Sequence, residues 1–180
     1  RGLGLYEPGN VIALHPNGPF SSSVFDFVSL GTSMIALGGG YNGQFNAQNS
    51  DNGYYLFENG QWRNYNVHAT GQQNTPEVKD LVNGSTFLGE IYMASFGDGI
   101  LSWKQDGSFA LIDENTEGTS LQNNNENELL IADVKADNNE LWILNYGNTQ
   151  ALHQWGGASQ WEAHDVGTAY PVRKRDNTKT

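Results

Sequence analysis

Three aspartates, Asp26, Asp80 and Asp133, stand at offsets of 54 and 53 residues, each two places after a Val or Ile. Carboxylate pairs carry glycosidic and ester hydrolysis, one as acid and the other as base or nucleophile. A carboxylate that recurs once per structural unit is better explained by a hydrogen bond that every unit makes at the end of its first strand. The four histidines, His15, His68, His153 and His164, are scattered without the close pairing of zinc or iron sites, and three of them fall on expected strands. Asp137-Asn138-Asn139-Glu140 lacks the spacing and glycine of an EF-hand and reads as a tight turn. Gly38-Gly39-Gly40 lacks the GxxxxGK pattern and follows no βα crossover, so it is a poor phosphate cradle. With no cysteine there is neither a thiolate metal site nor a disulfide framework. No catalytic residue, no metal ligand and no cofactor is expected.

Binding is better served than catalysis. The stretch from Gly38 to Asn52 sets Tyr41, Asn42 and Phe45 among amides and glycines, a composition that stacks on sugar rings or holds a peptide. Phe96 and Asp98 lie in a Phe-Gly-Asp-Gly turn, where Asp-Gly is also an ordinary turn signal, and Tyr146 opens another loop. These six residues are the candidate ligand or partner contacts.

The elements that must position them are strands. The 22 glycines, the 12% aromatic content and the frequent Asn-Gly and Asp-Gly pairs describe short strands joined by tight turns. Units beginning at Val24-Phe25-Asp26, Val78-Lys79-Asp80 and Ile131-Ala132-Asp133 each continue into three further apolar or aromatic strands. Their second strands are Met34–Leu37, Ile91–Ser95 and Leu141–Asn145, and their closing strands contain Trp62, Phe109 and Trp161. Four strands per repeat of roughly 50 residues is the pattern of a propeller blade.

The reading is therefore all-β: a propeller segment of about three and a half four-stranded blades, part of a larger, seven-bladed ring. A half blade occupies 1–20, whole blades occupy 24–66, 78–112 and 131–165, and a polar tail occupies 166–180. A two-sheet sandwich is the weaker rival, because it has no reason to repeat every four strands. Trp142 is expected between blades, where truncation to Ala would cost about 3 to 5 kcal/mol. The connections between second and third strands, and from one blade to the next, include the long ones: Gly38 to Asn52, Asn66 to Glu77 and Asp113 to Leu130. Long loops on a rigid scaffold are where binding concentrates, so that side of the disc is the candidate surface.

A formal charge of -11, with four of only nine Lys and Arg between Arg173 and Thr180, excludes nucleic acid as a partner. No apolar run approaches the ~20 residues of a membrane helix. Asn83-Gly84-Ser85 is an acceptor triplet for N-glycosylation of a kind that is common by chance.

The strand-initial V/I-x-D, the aromatic strand Leu141-Trp142-Ile143 and the Gly-Asp-Gly-Ile-Leu that follows Phe96 resemble the two-component-regulator propeller repeat. A narrower resemblance, to PorZ-type proteins of the type IX secretion system, is carried by Gly38–Gly43, by Gly53–Trp62 with Asn64–Asn66, by Tyr92–Leu101 and by Ser120–Gln122. That resemblance implies a non-catalytic, exported component of the bacterial cell surface, with secretion-complex proteins or an anionic lipopolysaccharide as partners. The repeat also occurs in periplasmic oligosaccharide sensors of hybrid two-component systems, the alternative reading, and a propeller hydrolase or lyase is the third. An arc of blades leaves faces uncovered, so edge-to-edge self-association is a further expectation, two arcs of three and a half blades adding to seven.

Overall fold

The structure, a computed structural model, describes residues 3–14, 17–68, 76–104, 106–158 and 160–166. The polar tail expected at 166–180 lies outside the described residues from 167 onward, as does His15. No helix is present among them, and the strands fall on short apolar and aromatic runs between turn signals. A two-stranded hairpin of β1 (Leu3–Glu7) and β2 (Asn10–Leu14) comes first. A first complete blade follows: β3 (Asp26–Leu30), β4 (Ser33–Leu37), β5 (Tyr54–Glu58) and β6 (Gln61–Tyr65), each antiparallel to the next. The second comprises β7 (Leu81–Phe87), β8 (Glu90–Gly97), β9 (Gly99–Trp103) and β10 (Phe109–Ile112). The third comprises β11 (Leu129–Asp137), β12 (Glu140–Asn145), β13 (Leu152–Trp155) and β14 (Trp161–His164). The fold is a partial β-propeller.

Turn chemistry fixes these hairpins. Asn59-Gly60, Leu88-Gly89 and Asn138-Asn139 each place two consecutive residues at positive φ, the two-residue turn whose twist matches the strands it joins. Asp137 to Glu140 is thus a turn, held in the register Asp137↔Glu140. The segment from Asn83 to Glu90 is strand up to Phe87 and a two-residue turn thereafter.

The repeat of aspartates is corrected by the register. Asp26 pairs with Leu37, Asn83 with Ala94 and Asp133 with Leu144, and these partners hold the same place in their second strands. Asn83, not Asp80, is therefore the counterpart of Asp26 and Asp133. The same shift shows in the backbone, where Phe96 N–H donates to the Asp80 carbonyl as Tyr146 N–H does to that of Leu130. Asp80 stands before the ladder at φ +46, out of extended geometry. Asn83 links the repeats: its amide donates to Asp26 Oδ2 at 3.2 Å, and its carbonyl accepts Val134 N–H at 3.4 Å.

Two apolar cores lie between blades. Val28, Ile35, Leu37, Tyr54 and Leu56 of the first blade meet Leu81, Met93 and Leu101 of the second. Tyr92, Ala94, Phe96 and Ile100 on the other face of the second meet Leu130, Ile131, Val134, Leu141 and Ile143 of the third. The backbones also approach closely. Gly39 N–H donates to the Leu81 carbonyl at 3.1 Å, and a Cβ on Gly39 would lie 2.1 Å from Leu81 N, so only glycine fits there. The middle glycine of the triplet is thus an inter-blade contact. β8 also outruns its own blade: Phe96 and Gly97 pair with Leu130 and Leu129, fusing the second and third blades into one curled sheet.

Trp142 departs from expectation. It is half-buried on the outer face of the third blade, stacked on His164 at 5.7 Å, rather than locked between two blades.

Candidate binding site

The long loops build the site. The connection from β4 to β5 leaves the blade at Gly38, whose N–H donates to the Gly53 carbonyl, so both ends of the loop are tied. Asp80 pins its middle: Oδ2 accepts Asn49 N–H at 2.6 Å, Oδ1 accepts Ser50 N–H at 2.9 Å, and Asp80 N–H donates to the Ser50 carbonyl. Asp80 is 1% exposed, and burial raises its pKa against the lowering effect of those donors, with Asp98 adding a smaller rise. A carboxylate first read as a repeat marker thus holds the candidate loop in place.

Four of the six candidate residues meet. Tyr41 packs on Phe45 at 4.9 Å and on Phe96 at 4.7 Å, while Tyr146 lies 6.5 Å from Phe45 and 5.8 Å from Phe96. Phe25 closes the group edge-on to Tyr41. Phe96 is fully buried and forms the floor, whereas Tyr41, Phe45 and Tyr146 are half-buried above it. The Tyr41 phenol has its pKa raised by burial first, then by the charges of Asp133 and Asp26, and so stays protonated.

Asp98 does not join this group. Its Oδ2 accepts Lys79 N–H at 2.7 Å, and its own N–H donates to Ser95 Oγ, which in turn donates to the Lys79 carbonyl. These bonds fasten the segment entering β7 to the β8–β9 turn. Asn42 is exposed, yet its side-chain carbonyl is used locally, accepting Gln44 N–H at 2.9 Å and Asn46 N–H at 3.1 Å.

That use of Asn42 is repeated across a gap. Asn42 N–H donates to the Asn46 carbonyl, and Phe45 N–H donates to the Asn42 carbonyl. In the β10–β11 loop, Asn124 makes the same four bonds. Its Oδ1 accepts Glu126 N–H and Glu128 N–H, its N–H donates to the Glu128 carbonyl, and its carbonyl accepts Asn127 N–H. The fourth residue of each turn is left-handed, Phe45 at φ +67 and Asn127 at φ +63. Two asparagine-headed turns of one design thus face each other across a cleft of about 330 Å³. Gln44, Phe45 and Asn46 form one wall, residues from Asn124 to Glu128 form the other, and Leu130 and Tyr146 lie beneath. Among the described residues its lining carries two carboxylates, Glu126 and Glu128, and no Lys or Arg.

Against solved structures, the likeness is to PorZ. One match is to PorZ of Porphyromonas gingivalis, described as an essential bacterial surface component of the type-IX secretion system, with a TM-score of 0.64 and 16% sequence identity. It covers 90% of this chain and 22% of that one, so this chain spans about a fifth of the length of PorZ. No family model matches the chain, and no curated protein matches it. At that identity the likeness to PorZ speaks for the fold alone.

One pairing was not anticipated. His153 is fully buried on β13, with Nδ1 2.7 Å from Ser120 Oγ, and Nε2 has no hydrogen-bond partner among the described residues. Burial lowers the His153 pKa, so the ring is neutral. Among the described residues no carboxylate orients that ring, so the pair there lacks the third member that aligns a serine nucleophile's base. The bond ties the loop before β11 to the third blade. Among the described residues no group of three His, Asp or Glu could hold a metal ion, and no helix is long and apolar enough to cross a membrane.

Proposed function

We propose that the chain is a non-catalytic binding and scaffolding propeller, belonging to an exported component of a type IX secretion system at the bacterial cell surface. What carries the reading is the cleft in which Phe45 and Tyr146 lie between two matched turns, on a propeller whose fold is like that of PorZ. Phe45, Tyr146 and the flanking amides make the contacts, Tyr41 and Phe96 support them from below, and Asp98 and Asp80 hold the loops. Calorimetric titration of the chain with purified surface proteins of the secretion complex tests this. Binding that Phe45→Ala weakens by about tenfold or more is expected. Turnover of glycan or ester substrates, or binding indifferent to Phe45 and Tyr146, would overturn it.

The same reading extends to a second copy of the chain. The outer faces of the end blades hold Phe27 on one side, 57% exposed, and half-buried Trp142, Leu144 and Leu152 on the other. The latter three sit where Tyr92, Ala94 and Ile100 are covered by a neighbouring blade. Light scattering should return a multiple of 19.8 kDa, and a monodisperse monomer would refute the pairing.

A further inference from the structure

The cleft is suited to one charge type. Glu126 and Glu128 are exposed on its wall, Gln44 and Asn46 oppose them with neutral amides, and no cation lines it among the described residues. The chain around it carries a formal charge of -11, and a concave site walled by low-dielectric protein concentrates that field. An anionic glycan would meet repulsion from both carboxylates. A neutral sugar would meet good acceptors but would leave their charge unmatched. A guanidinium or ammonium group pairs with carboxylates and also stacks over aromatic rings, which Phe45 supplies from the wall and Tyr146 from beneath.

The volume points the same way. About 330 Å³ is at the small end for ligand sites, room for one long side chain with its flanking backbone. Side-chain amides on both walls, from Gln44, Asn46 and Asn125, offer donors and acceptors suited to an extended peptide backbone. The two asparagine-headed turns fix those walls through backbone bonds before any ligand arrives, which lowers the ordering cost of a weak, short contact.

We propose that the cleft between Asn42–Asn46 and Asn124–Glu128 takes an arginine- or lysine-bearing peptide segment of a partner protein. This rests on the binding-surface reading above and narrows it to a cationic peptide.

The test is a heteronuclear NMR titration of the full chain with the capped peptide Gly-Gly-Arg-Gly-Gly, its citrulline analogue and a neutral oligosaccharide. The expected result is arginine-dependent shifts at Gln44, Phe45, Asn124 and Tyr146, weakened at least about threefold between about 20 and 200 mM salt. The double variant Glu126→Gln/Glu128→Gln, both residues being exposed, should keep the wild-type spectrum elsewhere and bind about tenfold more weakly or not at all. If the citrulline peptide binds equally well, or the double variant binds unchanged, the inference falls. Oligosaccharide shifts at the same residues, without a response to the arginine peptide, would also overturn it but leave the binding-surface reading standing. No shift at the cleft with any of the three ligands, together with loss of the Phe45 effect on partner binding, would remove both.

Discussion

The second and third blades are built on one repeat but differ in what covers them. In β8, Tyr92, Met93, Ala94, Ser95 and Phe96 are all buried, because a neighbouring blade lies on each face. In β12 burial alternates strictly, with Leu141, Ile143 and Asn145 buried and Trp142 and Leu144 only half covered. Register makes Tyr92 the counterpart of Trp142, since they face Ser85 and Lys135 at matching points of the inner strands. A large aromatic at that point is in the core of one blade and on the surface of the other. Burial in this fold is conferred by the neighbouring blade, and a blade's own sequence only prepares for it.

The most damaging way to break the second blade's double coverage is at its backbone contact with the first. Gly39→Ala would drive a Cβ to 2.1 Å from Leu81 N, and backbone cannot yield as a side chain can. A loss of about 4 kcal/mol or more, up to failure to fold, is expected in chemical denaturation. A loss under about 1 kcal/mol would mean that the blades separate easily and that the contact does not hold them.

The comparison itself is tested by truncating its two aromatics. Tyr92→Ala empties a site that is 3% exposed and removes the hydroxyl's bond to Glu90, so about 3 to 4 kcal/mol should be lost. Trp142→Ala removes a larger ring, yet the ring stacks on His164 with one face of the blade open, so about 1 to 2 kcal/mol is expected. Equal losses would show that Trp142 is covered in solution, and a Trp142 effect that grows with protein concentration would identify a second copy as the cover.

These differences show why the fold was more legible than the site. The four-strand repeat, the hairpin turns and the loop side on which the aromatics gather all follow from local pattern. Tyr41, Phe45, Phe96 and Tyr146 were named from composition, and the structure brings them into one cluster. The register of the second blade was misread because Val78-Lys79-Asp80 copies the letters of Val24-Phe25-Asp26 while standing three residues before the equivalent ladder position. Only pairing partners reveal that. The matched turns were invisible for another reason: Asn-Gly-Gln-Phe-Asn and Asn-Asn-Glu-Asn-Glu share nothing but the leading asparagine, and what they have in common is backbone geometry. Trp142 failed because periodicity reports two apolar faces without saying which one meets a neighbour.

Asp80 links the blade contact to the cleft. Asp80→Ala strands Asn49 and Ser50 N–H, so about 2 to 3 kcal/mol should be lost. Because that pair anchors the loop carrying Tyr41 and Phe45, ligand binding at the cleft should weaken by more than the loss of folded protein explains. A variant with normal cleft binding at temperatures where it remains folded would show that the loop holds itself.

The gentlest contrast between the blades is chemical. His153 occupies the place that Leu101 holds in the second blade, each opposite the equivalent residue of the preceding strand, Ile143 and Met93. Burial lowers the pKa of His153 in the folded chain, and nearby His164 adds a smaller push in the same direction. The unfolded chain therefore binds a proton that the folded chain resists, in the window from about pH 6.5 downward to the folded value. Stability should fall with decreasing pH through that window and stay flat above it. His153→Leu, the second blade's own solution, should lessen this acid sensitivity while costing the Ser120 hydroxyl its partner, a small loss visible at pH 8. Comparing wild type and variant by urea denaturation at pH 5 and pH 8 separates the two terms. An unchanged pH slope in the variant would move the acid sensitivity to other groups and leave His153 as a packing residue alone.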